Sequence, residues 1–198
     1  IIQYTDKFRF SKNNIIEVEF MKISKISEKY NQAVRGEEQI NCSQEKIWNI
    51  IAQASNLELF HPFCSKNPII AWQENDHRDE IHYINGFKLK RRFIAWNEGV
   101  GYDLVIGTIK EKDSFVSWRI HQTNDQNIAR ITIDIYPYIM NMGNKLMQRI
   151  PFELYIRPQL SSYLNSVLGG LNWHIKNNKP TPKNHFGTHK WFSKIKDK

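Results

Sequence analysis

Between positions 158 and 175, Leu160, Leu164, Val167, Leu168, Leu171 and Ile175 recur at three- and four-residue intervals. At about 100° per residue they fall in one stripe, so the segment predicts an amphipathic helix with a single face to bury. Arg157-Pro158 suits its start, because proline at the first helical position gives up only an N–H that has no partner there. Lys176 sits near the negative end of the dipole. Upstream, alternating or apolar runs separated by polar turns predict strands at 34–41, 67–72, 79–84, 87–96, 102–110, 115–121 and 128–136. Between the first two, Ser43 is a helix cap, Ile47, Trp48, Ile50 and Ile51 give the helix an apolar face that Leu57 and Phe60 continue, and Pro62 stops it. Six consecutive strands with short connections imply an antiparallel meander. A helix of ~30 Å crosses about six strands spaced ~4.8 Å apart, so one helix gripped by one curved sheet is expected.

Composition adds limits. The 198 residues, 40% hydrophobic and 24% charged, suffice for one core. Two cysteines, Cys42 and Cys64, make no disulfide framework, and no apolar run has the length of a signal segment or membrane span, so a cytoplasmic protein is expected. The net charge of +8 is concentrated at the end: from Lys176 onward there are seven lysines against one acid, Asp197. A basic tail rather than a basic groove follows, and nucleic acid is not an expected partner. Met21 opens a stretch that reads as a natural start, while Ile16, Val18 and Phe20 alternate with glutamates as a short strand would; the two readings stay open.

A strand, the helix Ser43-Gln44-Glu45-Lys46-Ile47-Trp48-Asn49-Ile50-Ile51, a bend from Leu57 to Pro62, six strands and a long C-terminal helix resemble the START-like (SRPBCC) superfamily of polyketide cyclase/dehydrase and lipid-transport proteins. The resemblance implies an α+β helix-grip fold: a curved seven-stranded antiparallel sheet around the long helix, short helices after the first strand, and a cavity for an apolar ligand. It covers residues 34–177, leaving 1–33 as an N-terminal extension and 178–198 as a basic aromatic tail.

Asn85-Gly86 predicts a two-residue hairpin turn. In that register Ile84 faces Phe87, His82 faces Leu89 and Glu80 faces Arg91, all on one side. Tyr83, Ile81, Lys88, Lys90 and Arg92 lie on the other, whose three cations mark it as the solvent face. Glu80, His82, Leu89, Arg91 and Phe93 are therefore expected to face the interior. Glu80 and Arg91 form either a polar anchor for a ligand head group or a rim ion pair. His82 is either an acid/base group or a hydrogen-bonded core residue. Phe60, Phe63 and Trp118 supply core or cavity wall, as do Trp72 and Trp96. On the long helix Tyr163, Val167, Gly170 and His174 run along one edge of the stripe. Gly169-Gly170 costs ~1 kcal/mol per glycine and either allows a close approach of sheet or ligand or is simply tolerated because packing dominates.

His61 and Cys64 lack the companions a zinc site needs, and no phosphate-binding or nucleophile-elbow motif is present, so neither metal nor cofactor is expected. The connector 139–152, with Met140, Met142 and Met147, reads equally as a cavity lid or a packed loop. Trp173 points away from the buried stripe, and the segment 184–192 is expected to fold back over it; the alternative is a hook for a membrane surface. Three functions follow: binding of a small apolar or amphipathic (lipid or polyketide-like) ligand, a cyclase/aromatase-type enzyme using the same cavity, or an interaction module acting through the tail.

Overall fold

The computed structural model describes residues 32–108, 113–140 and 149–194; the 16–20 segment and most of the 139–152 connector lie outside them. Eight strands form one antiparallel sheet: β1 (Val34–Ile40), β2 (Cys64–Lys66), β3 (Ile69–Gln73), β4 (Asp76–Tyr83), β5 (Lys88–Asn97), β6 (Gly101–Gly107), β7 (Ser114–Gln122) and β8 (Ala129–Tyr136). The order is β1-β8-β7-β6-β5-β4-β2, with β3 also on β4. The expected seven strands become eight because the edge of the sheet holds two strands: the expected 67–72 strand is β3, and β2 precedes it. β2 pairs with the end of β4 and β3 with its beginning, and Asn67-Pro68 interrupts them. Pro68 has no N–H for a ladder, and the Asn67 side chain replaces ladder bonds by donating to the Glu80 carbonyl at 2.7 Å and accepting from the Leu57 N–H at 3.2 Å.

After β1, Ser43 caps α1 (Gln44–Ile51), its hydroxyl accepting from the Lys46 N–H at 3.2 Å. The apolar face does not run unbroken to Phe60. Ser55 adopts φ 57° and separates α1 from a single turn, α2 (Leu57–Phe60). The long helix α3 (Arg157–Asn177) buries all six predicted stripe residues. Pro158 does not begin the helical path, however. A π-turn (Phe152–Ile156) runs directly into α3, with the Arg157 N–H reaching the Phe152 carbonyl. The wider turn sits where proline removes a backbone donor. At the other end Asn178 closes the helix in the left-handed conformation, φ 51°.

The sheet's concave face and α3 enclose the core. Two glycines set the approach. A Cβ on Gly36 of β1 would stand 2.7 Å from the Leu164 Cβ, and one on Gly170 would stand 2.1 Å from the Phe60 carbonyl oxygen. The tail folds back as expected: Trp173 meets His185 with ring centroids 5.3 Å apart, Thr181 and Asn184 donate backbone bonds to Leu59 and Pro62, and the Phe186 ring covers Gly169.

Gly170→Ala is expected to lower stability by ~1–3 kcal/mol, because backbone must shift to admit the methyl group, although alanine is the better helix former by ~1 kcal/mol. Gly169→Ala meets only the end of the Phe186 side chain, at 3.1 Å, and should be near neutral. Urea midpoints of the two variants provide the check; equal shifts would remove the close-approach explanation.

Candidate functional site

The β4–β5 hairpin decides what faces the interior. Tyr83 donates its N–H to the Phe87 carbonyl at 2.8 Å, and the Gly86 N–H returns to the Tyr83 carbonyl at 3.0 Å, with Gly86 at φ 85°. The loop thus holds three residues, Ile84, Asn85 and Gly86, in a turn followed by a glycine bulge rather than a two-residue turn. The pairs become Asp79↔Arg91, Glu80↔Lys90, Ile81↔Leu89 and His82↔Lys88. One residue of slip exchanges the faces of a strand, so the β4 assignments reverse while those on β5 stand. Asp79, Ile81 and Tyr83 are buried. Glu80 and His82 turn to the outer face, where Glu80 Oε2 and His82 Nε2 lie 2.9 Å apart. Arg91 is interior, yet its carboxylate partner is Asp79, not Glu80.

Between sheet and α3 lies a cavity of ≈ 130 Å³. Its sheet wall is made by Ile81, Leu89, Leu104, Ile106, Val116, Trp118, Ile133 and Ile135, and its helix wall by Leu160, Tyr163, Leu164 and Val167. Leu57 and His61 close one part and Phe192 from the tail another. Of the residues singled out from sequence, Leu89, Arg91, Trp118, Tyr163 and Val167 come together here. Phe60 and Phe63 are fully buried in the core beside it, Phe60 against Trp118 and Phe63 stacked on Tyr163. Phe93 belongs to an adjoining aromatic cluster with Trp72, His77, Trp96 and Tyr102, which meets the cavity wall at Arg91 and Trp118. Gly170 serves the helix contact with α2, and His174 sits at the helix end with Nδ1 2.7 Å from the Lys179 carbonyl oxygen. Glu80, His82, Phe93, Gly170 and His174 therefore do not line the cavity.

The polar groups on the cavity form two linked sets. Arg91, 4% exposed, donates from Nε and Nη2 to the two oxygens of fully buried Asp79 at 2.7 and 2.5 Å, and its Nη2 lies 3.5 Å from Asn56 Oδ1. Burial opposes the guanidinium charge, and Asp79 outweighs that penalty, so Arg91 stays charged. Beside it His61 Nε2 lies 2.8 Å from the Tyr163 hydroxyl, which lies 3.1 Å from the Tyr83 hydroxyl. The Phe63 N–H donates to His61 Nδ1 at 3.2 Å. Burial raises both phenols, Tyr163 to about 12, and lowers His61 to about 3, with Arg91 and Lys183 adding to the effect on His61. All three are neutral at ordinary pH.

The tail completes the site. Phe192 stacks on Tyr83 at 4.5 Å and approaches Tyr163 at 4.7 Å. Buried His189 faces the Gln159 carbonyl through Nε2 at 3.0 Å and accepts the Trp191 N–H at Nδ1. Asn85, in the hairpin turn, donates to the Trp191 carbonyl at 2.8 Å. Sequence reasoning gives Asp79 no role, places Tyr83 on the solvent face although it is buried, weighs His61 only as a metal ligand, and takes Phe192 only as part of a covering tail. The one local signal for the first two is Asn-Gly itself, which serves three-residue loops as well as two-residue ones.

His61 fixes a pH dependence. Unfolded, it takes up a proton below about 6.5; folded, not until about 3. The unfolded chain binds the extra proton between those values, so stability is complete above 6.5 and falls as pH drops toward 3, by up to ~1.4 kcal/mol per pH unit for this group. His61→Gln should flatten the profile by up to one proton in that window, leaving the slope from His77, His121 and His189, which burial also lowers. Urea unfolding across pH 4–7 reads it; an unchanged slope would overturn the assignment.

No family model matches the chain, and a search of curated proteins finds no match. Solved structures do resemble it. DynU16, from the dynemicin biosynthetic locus, superposes with TM-score 0.58 at 11% identity over 78% of this chain and 51% of its own, so the chain spans about half of DynU16. TTHA0849 from Thermus thermophilus gives 0.58 at 12% identity, covering 74% and 99%. The Zhui aromatase/cyclase from Streptomyces sp. R1128 gives 0.52 at 12%, covering 74% and 97%. With the curved antiparallel sheet, the gripped C-terminal helix and the cavity between them, these likenesses identify the fold as a helix-grip fold.

Proposed function

We propose that this chain binds a small, mostly apolar molecule in the cavity between its sheet and α3. The observation that carries the reading is an apolar chamber with its few polar groups, Arg91, Tyr83, Tyr163 and His61, gathered together, the usual layout of a ligand site. At ≈ 130 Å³, the chamber is close to the ~150 Å³ of an apolar protein cavity that accepts benzene. With Phe192 in place, the fitting ligand is about one ring in size.

Binding fits better than catalysis. Both oxygens of Asp79 are engaged by Arg91, and Glu80 and His82 lie on the outer face, so among the described residues no free carboxylate faces the chamber. Burial holds His61 neutral, but its Nδ1 is already occupied by the Phe63 N–H. The aromatase/cyclase among the similar structures keeps the second reading in view: a cavity that orients a reactive chain, with Arg91 and the phenols holding its oxygens. No helix among the described residues is long and apolar enough to cross a membrane.

Toluene or ethylbenzene should bind the full chain and raise its melting temperature, and Val167→Phe, which fills the chamber from α3, should abolish that shift while the variant remains folded. Failure of the full chain to take up either hydrocarbon would count against the reading. Phe192→Ala should extend uptake to two-ring naphthalene, which the full chain excludes.

A further inference from the structure

The hydrogen-bond chain at the deep side of the cavity has more protons than links. His61 Nδ1 accepts the Phe63 N–H, so it carries no proton of its own, and the neutral ring must bear its proton on Nε2. The other tautomer would set two N–H groups against each other. Nε2–H therefore donates to the Tyr163 oxygen. Between the two phenols one link remains, and either can donate to the other. Three protons, on Nε2 and on the two hydroxyls, meet two links; one phenolic O–H is left over. No other hydrogen bond reaches either hydroxyl among the described residues, and both side chains line the cavity.

A buried donor with no acceptor is costly, and a ligand atom that accepts from it removes the cost. Resting on the ligand-binding reading above, we propose that the cavity selects a neutral one-ring molecule carrying an acceptor oxygen, such as an aryl ketone or aldehyde, held by the surplus hydroxyl of the Tyr83–Tyr163 pair. Charge argues for a neutral ligand. Asp79 already balances Arg91, so a carboxylate would enter as an uncompensated charge among apolar walls. Size argues for one ring, and the surrounding aliphatic side chains for an otherwise apolar body.

Acetophenone and ethylbenzene are nearly equal in shape and differ at the oxygen, which makes them the test pair. In the full chain, bound acetophenone should show a carbonyl stretch shifted to lower frequency than in hydrocarbon solvent. In Tyr83→Phe the proton count still leaves one hydroxyl over, so the shift persists. Removing both hydroxyls alone would free the His61 Nε2–H, so the third donor goes with them: in the triple variant His61→Leu/Tyr83→Phe/Tyr163→Phe acetophenone should bind ~10-fold more weakly relative to ethylbenzene and its stretch should return to the hydrocarbon value. Continued ethylbenzene binding shows that the triple variant keeps its cavity; should it not fold, the carbonyl shift in the full chain and in Tyr83→Phe decides. An unshifted stretch in the full chain, an unchanged ratio in the triple variant, or benzoate binding more tightly than acetophenone overturns the proposal. If neither ketone nor hydrocarbon binds the full chain, it is the cavity reading itself that fails.

Discussion

Three residues between Tyr83 and Phe87 govern the interior of this protein. With Gly86 in a left-handed conformation, the β4–β5 hairpin closes so that Asp79, Ile81 and Tyr83 share the concave face with Leu89 and Arg91. Add or remove one residue and β4 would turn Arg78, Glu80 and His82 inward, stranding charges against Leu104 and Val116 and leaving Arg91 without Asp79. The salt bridge, the phenol at the cavity and the seat for Phe192 all descend from that loop. Asn85, at its centre, also ties down the tail through the Trp191 carbonyl.

The buried pair then constrains everything near it. A guanidinium 4% exposed is tolerable because two charge-assisted bonds to Asp79 satisfy it. With Asp79 spent on Arg91, the nearby His61 meets only positive charge and low polarity, and it stays neutral. With the ring neutral, the Phe63 N–H on Nδ1 leaves the proton on Nε2, which donates to the Tyr163 hydroxyl. The polarity of the cavity is thus set by a carboxylate that need not touch a ligand at all.

Much of the fold is legible in the sequence because periodicity is a local property. The stripe from Leu160 to Ile175, the cap at Ser43 and the central strands all read directly, since each depends on neighbours in the chain. The gripping arrangement follows from the length of the long helix against the number of strands, and the resemblance carried by element order and the segment around Trp48 implies the same arrangement. What escaped depends on contacts remote in sequence or on one residue of register. Asn-Gly serves two turn lengths, and read as a two-residue turn it puts Glu80 and His82 inward; the alternation on β4, apolar on one side and charged on the other, fits either register until its partner is fixed. Phe192 is invisible as a cavity residue because it lies 29 positions beyond Tyr163 with no periodic pattern to tie it there. His174 and Gly170 shared a helix edge with Val167 and Tyr163, but the tail and α2 take up that part of the edge first.

The interruption at Asn67-Pro68 has a bearing on how these molecules coexist. An open sheet ends in strands whose free N–H and C=O rows invite another chain to add on, and here one border carries Ile69 and Ile70, half exposed. Splitting that border into β2 and β3, with a proline at the break and the Asn67 amide turned inward to the Glu80 carbonyl, leaves no continuous template for a neighbour to copy. A kink that looks like a flaw in the ladder keeps a sticky margin from growing into a longer sheet.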